Sequence, residues 1–183
     1  MSDHFFAIQL AVPAPPHDPW RRRLAELVGR HLRDLSLADK RGLWGGIGNL
    51  LLEVVDRCPL GYWDFQADGR SQFDEWQRGI EDDAQQPWVP DASGEPMDHV
   101  LVSALFLIPA RTATARFVAE QCDLDEQVWR TRLTYRRLVE VLAQISFPHV
   151  RSDAIYLTPG GDRHAFSLRE LSGAGYEYLL PIE

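Results

Sequence analysis

The chain has 183 residues, 45% of them hydrophobic and 25% charged, with a formal net charge of −8. That length favours one domain whose core needs no disulfide or metal staples. The acidic balance repels phosphate backbones and anionic lipid, which argues against nucleic-acid or membrane-surface binding.

Phe5 to Val12 is an apolar run stopped by Pro13, Pro15 and Pro16, and it reads as a strand near 5–12. Asp18 then offers an N-cap and Pro19 suits the first helical position, opening a helix near 19–35. Trp20, Leu24, Leu27, Val28, His31, Leu32 and Leu35 make its apolar stripe, with Arg21, Arg22, Arg23 and Arg30 mostly off it. His31, at the stripe's margin, reads as a hydrogen-bonded packing residue rather than a ligand.

Ser36 to Asp39 resembles a capping box for a second helix near 37–57. Gly45, Gly46 and Gly48 interrupt it. With no G-x-x-x-x-G-K-[ST] and no strand feeding them, they read as close-packing positions rather than a phosphate cradle. Tyr62, Trp63, Asp64 and Phe65 form an aromatic, extended segment after Pro59. Ser71 opens a polar third helix near 71–83 through Phe73, Trp76 and Ile80. Asp64, Asp68, Asp74, Glu75, Glu81, Asp82 and Asp83 crowd this region but follow no calcium-loop spacing, so they read as a solvated acidic face. Residues 85–97 read as a mobile surface loop.

Within His99 to Ile108, Val100 to Ile108 is apolar at both parities except for Ser103, which predicts a central strand buried on both faces. It is also far shorter than the about 20 apolar residues needed to cross a bilayer. Arg111 to Cys122 is ambiguous, its Thr112, Thr114, Arg116 and Val118 being compatible with an extended continuation. A strong amphipathic helix is expected near 125–146, with Val128, Tyr135, Leu138, Leu142 and Ile145 inward. At about 100° per residue its arginines split between two flanks, Arg130 with Arg137 and Arg132 with Arg136, and so make no single anion site. Asp153 to Thr158 reads as a further strand, Ser167 to Glu170 as the capping box of a short helix near 168–174, and the tail from Tyr178 as extended. Together these elements predict an α+β domain with a small mixed sheet. The helix near 125–146 suggests a right-handed crossover joining the last two strands in parallel.

The motifs Ile155 to Pro159, Gly161-Asp162, then Ser167, Glu170, Leu171 and Tyr176 resemble the end of domain-of-unknown-function family 1517, uncharacterised proteins of cyanobacteria and plastids. The order of the N-terminal strand, two helices, Tyr62-Trp63, the central strand and the long helix is similar as well. The resemblance implies a shared fold and brings no activity or catalytic residues with it. Family members usually carry a glycine-rich stretch and a membrane-spanning segment ahead of this domain. Here the first strand begins at Phe5 with neither, so membrane insertion is not expected.

No motif supplies chemistry by itself. The favoured expectation is an accessory or protein-interaction module without catalytic activity, binding a protein partner through Trp63, Phe65, Trp76 or Trp88. Self-association is compatible with it; no cofactor, metal or nucleic acid is called for. Cys58 and Cys122 lack C-x-x-C spacing and read as reduced thiols. The first residues lack a secretory signal's basic flank and apolar core, so the expected compartment is the cytoplasm. Two alternatives compete: an acid/base or metal-assisted hydrolase using Asp64, Glu75 and His99, and a small-ligand or nucleotide sensor at Gly45–Gly48.

Overall fold

The computed structural model describes residues 2–31, 34–85, 94–160 and 163–183. Its centre is a pair of long apolar strands, β1 (Asp3–Pro13) and β3 (Met97–Pro109), antiparallel from Asp3 opposite Pro109 to Pro13 opposite His99. On the outer side of β1 lies β2 (Leu60–Gln66), and on the outer side of β3 lies β4 (Ser152–Thr158). Two short strands complete the sheet. Of these, β5 (Phe166–Ser167) pairs with the start of β3 and β6 (Leu180–Pro181) with Leu60 and Gly61. The order is β4-β3-β1-β2-β6, and every pairing among the described residues is antiparallel.

Strand alternation divides the core into two faces. Phe6, Ile8, Leu10 and Val12 of β1 join Val100, Val102, Ala104, Phe106 and Ile108 of β3 in the main core. Helices α1 (Pro19–His31), α2 (Leu37–Leu52), α4 (Ala113–Cys122) and α5 (Arg132–Gln144) contribute to that same core. On the opposite face Phe5, Ala7, Leu105 and Leu107 pack with Phe73 of α3 (Arg70–Gln85). Ala11 and Leu101 pack with Phe166, Leu171 and Leu179 from the C-terminal segment. The α+β class and the doubly buried central strand are as the sequence indicates. No helix among the described residues is long and apolar enough to cross a membrane.

The expected parallel crossover is corrected. Residues 113–122, ambiguous in the sequence, form α4, capped by Thr112, whose Oγ1 accepts from Ala115 N at 3.1 Å. Two helices therefore join β3 to β4 where one was expected. Through both helices the chain returns to the end of the sheet it left. β4 consequently starts beside the end of β3, with Ser152 opposite Leu107, and runs antiparallel to it.

Helix boundaries also shift: the helix expected near 19–35 is described as helical over Pro19–His31, and residues 34–36 lie outside any helix. The helix expected near 125–146 begins at Arg132, because Thr131 takes the cap position and accepts from Thr134 N at 3.3 Å. Residues 126–128 are a separate 3-10 turn, so Val128 is exposed rather than inward. The helix expected near 37–57 ends at Leu52 and is followed by a turn at Val55–Arg57. Near 168–174 there is one 3-10 turn, Glu170–Ser172, although its reciprocal cap forms as expected: Glu170 N to Ser167 Oγ at 3.1 Å and Ser167 N to Glu170 Oε2 at 2.7 Å. The expected loop near 85–97 falls largely on residues 86–93, outside the described residues; α3 reaches Gln85 and β3 begins at Met97.

Candidate functional site

Two concavities flank β2, one at its open edge and one over the sheet's second face. The edge follows from the pairing. β1 bonds one side of β2, while β6 covers only Leu60 and Gly61 on the other, leaving residues 62–66 with no strand partner among the described residues on that side. Such an edge presents unpaired N–H and C=O groups that a further strand can meet. β4, at the far side of the sheet, has α1 packed against it, with Arg21 donating to Pro159 O and His31 bonded to Asp153. Arg21, expected off the apolar stripe, is in fact buried there.

Alternation turns Trp63 and Phe65 toward the helical face, where both pack partly buried against the main core. Trp63 meets Trp129 edge-on, with ring centroids 5.6 Å apart and planes at 71°. Trp63 Nε1 donates to Trp129 O at 3.0 Å and Trp129 Nε1 to Leu124 O at 2.8 Å, so both indoles are fixed in orientation. Trp129 stays 43% exposed. Beside this pair a groove of about 520 Å³ runs along the edge between Asp64, Phe65, Cys122, Glu126 and Arg130. Loss of hydration raises the Asp64 carboxyl above its usual range, against a 2.9 Å hydrogen bond from Gln66 Nε2. Burial pushes the Cys122 thiol up to about 12, and Cys58 likewise, so neither is a thiolate near neutrality.

The second concavity, of about 390 Å³, lies between α3 and the C-terminal segment with Gln9 of β1 in its lining. Gln9 is 2% exposed and donates from Nε2 to Ser103 Oγ at 2.8 Å, while its Oε1 has no hydrogen-bond partner among the described residues. Trp76 forms part of the wall, stacked on Tyr62 with centroids 5.6 Å apart.

A buried polar cluster lies apart from both. Asp153 Oδ2 accepts from Trp44 Nε1 at 2.9 Å and lies 2.7 Å from His31 Nε2, and Oδ1 accepts from Lys40 Nζ. Burial opposes the charge on Asp153, but these three hydrogen bonds and the Lys40 cation outweigh it and hold the carboxyl at about 2. His31 thus has the hydrogen-bonded packing role expected of it.

The sequence-derived site residues separate. Trp63 and Phe65 share the edge groove, Trp76 lies in the Gln9 cavity, and Trp88 is outside the described residues. The hydrolase set does not assemble: Asp64 is opposite Ala7 and His99 opposite Pro13, about 20 Å apart along the sheet at roughly 3.3 Å per residue. Gly45, Gly46 and Gly48 sit within α2 rather than before a helix, and a Cβ on Gly48 would come 2.9 Å from Ala143 Cβ. Close packing, the reading favoured for these glycines, describes Gly48. Among the described residues no three His, Cys, Asp or Glu side chains are grouped to hold an ion. Arg132 and Arg136 share a flank of α5 as expected, both donating to Asp56, and Arg137 Nε meets Gln121 at 2.8 Å on the other; Arg130, expected beside Arg137, precedes the helix and pairs with Glu183 at 3.3 Å. Trp129, Gln9 and Tyr178 were not singled out by sequence, although Gln9 is the one polar interruption of the first strand's apolar run. Compared with known proteins, the chain matches no family model, no curated protein and no solved structure.

Proposed function

We propose that this protein is a non-catalytic interaction module that takes up an extended segment of a partner protein along the open edge of β2. The observation that carries this reading is the run of residues 62–66, with no strand partner on its outer side among the described residues, next to the fixed, half-exposed Trp63–Trp129 pair. Strand addition draws affinity from main-chain hydrogen bonds and specificity from alternate side chains in flanking pockets. An aromatic pair of this kind is a suitable anchor for an apolar side chain. Asp64 and Glu126 flank the groove, and Arg130 is drawn to Glu183 at 3.3 Å, so a segment with an apolar anchor and a neighbouring Lys or Arg fits best. The reading puts the protein in the cytoplasm, where its two buried thiols stay reduced.

Selection of random peptides on the immobilised protein, followed by calorimetry on the enriched sequences, tests it. Enriched peptides should combine an apolar residue with a cationic one. Trp129→Ala should weaken binding about tenfold or more, as loss of an interface anchor does. Asp64→Lys should weaken it as well. Enrichment of peptides whose binding neither substitution touches would overturn the reading, as would failure to enrich any sequence.

A further inference from the structure

We infer that the cavity over Gln9 is a binding site for a small primary ammonium carried on an apolar or aromatic stem. This inference is independent of the edge groove, with which it shares only Tyr62.

The site is built from three pieces of chain. Gln72, Glu75, Trp76 and Gly79 of α3 are spaced three and four apart, so they share one side of the helix, and all four line the cavity. Tyr62, stacked on Trp76, and Tyr178 continue the aromatic wall, with ring centroids 5.7 Å apart at 78°. Gln9 joins the lining from the sheet itself. Its Nε2 is spent on Ser103, and Oε1 is a buried acceptor that no described protein group satisfies. A buried acceptor is costly to leave unmade, so the cavity favours an occupant that brings a donor. The volume of about 390 Å³ lies in the range of small-ligand pockets.

Charge selects the class of donor. Glu75 is the one charged side chain among the described lining residues, and no Lys, Arg or His joins it. Phosphates and carboxylates therefore meet a carboxylate and an unpaired acceptor with no compensating cation. Aromatic faces attract cations through their negative quadrupoles, most strongly for tryptophan. A primary ammonium satisfies all three elements: N–H for Gln9 Oε1, positive charge for Glu75, and a stem against Tyr62, Trp76 and Tyr178. A quaternary ammonium meets the rings and Glu75 but has no hydrogen for Gln9.

Two glycines keep the space open. A Cβ built on Gly79 or on Gly175 meets nothing within 4 Å, and both residues line the cavity. Gly79 lies inside a helix, where a larger residue adds helix propensity. Gly79→Leu is therefore expected to fold normally and to fill the mouth.

The test is calorimetric titration of the full chain with phenethylamine, phenylacetate, the N,N,N-trimethyl derivative of phenethylamine and methyl glucoside. Phenethylamine should bind saturably with a Kd near or below about 1 mM, as befits a ligand of so few heavy atoms. Phenylacetate and the glucoside should not bind detectably. Trimethylation should weaken binding severalfold, and that difference should vanish in Gln9→Leu. Glu75→Gln should weaken the amine about fivefold to tenfold, and Gly79→Leu should abolish binding. If Gln9→Leu does not fold, the two surface variants on α3 decide the matter. Equal or tighter binding of phenylacetate or the glucoside overturns the assignment. So does unchanged amine affinity in Gly79→Leu and Glu75→Gln, or no saturable binding of the amine to the unmodified chain.

Discussion

His31 Nε2 lies 2.7 Å from Asp153 Oδ2, which ties the last residue of α1 to the second residue of β4 across 122 positions of sequence. The carboxylate is 2% exposed and also accepts from Lys40 and Trp44 of α2, so one buried charge locks two helices to an edge strand. Removing one partner of a buried, hydrogen-bonded charge set costs about 3–5 kcal/mol. Asp153→Asn should therefore lower unfolding free energy by roughly 3 kcal/mol, with an unchanged dependence on denaturant. Urea titration followed by circular dichroism measures both quantities.

The same carboxylate sets an acid limb. Its folded pKa of about 2 lies below the ordinary value of 3.8, so its contribution is complete above pH 4 and is lost as pH falls through about 2. The size is about 2 kcal/mol from a shift of that extent. Stability measured between pH 5 and pH 2 should fall more steeply in the native chain than in Asp153→Asn. Parallel curves would remove Asp153 from the account of acid stability.

Gln9 and Ser103 face one another between the two clusters of the sheet's second face. Ser103→Ala leaves Gln9 Nε2 without its acceptor and should cost about 1–3 kcal/mol. Replacing both, Gln9→Leu with Ser103→Ala, removes the polar demand and should recover much of that loss. Chemical denaturation of the two single variants and the double one closes the cycle, and strict additivity would show that the pair does not act as a unit.

Gly48 and Gly45 make an internal comparison. Alanine at Gly48 would bring Cβ to 2.9 Å from Ala143 Cβ and 3.1 Å from its backbone N, forcing α2 away from α5. Overpacking of this kind costs about 1–3 kcal/mol and outweighs the about 1 kcal/mol gained in helix propensity. At Gly45 an added Cβ meets no described atom within 4 Å, and alanine should stabilise. Opposite shifts in Tm are the expected result.

The two thiols should be silent in the folded protein. Cys58 and Cys122 are buried, and each is pushed up to about 12. At pH 8 a thiol reagent should label neither at an appreciable rate until denaturant is added, when two equivalents should react. Rapid labelling of one thiol in native protein would mark it as more accessible than this packing permits.

What could be read from the residues alone follows the reach of each signal. Asp18 and Ser36 cap their helices where the local chemistry places them, with Asp18 Oδ1 accepting from Trp20 N at 2.7 Å and Ser36 Oγ from Asp39 N at 3.2 Å. β1 and β3 were legible because a strand buried on both faces is apolar at both parities. The helix α4 was not, because β-branched Thr112, Thr114 and Val118 suit a strand equally well, and only the Thr112 cap and tertiary packing decide. Missing that helix also inverted the direction of β4. The edge groove joins Trp63 to Trp129, 66 residues away, and no local pattern pairs them. Gln9 and Ser103 did leave a trace, since each is the single polar break in its apolar run and the two runs pair.

Hydrogen exchange of the backbone amides, read residue by residue with and without a saturating selected peptide, tests strand addition most directly. The account predicts new protection on alternate amides within residues 62–66, with β4 amides unchanged. Bound peptide that leaves those amides exchanging as before, or that protects β4 instead, would contradict it.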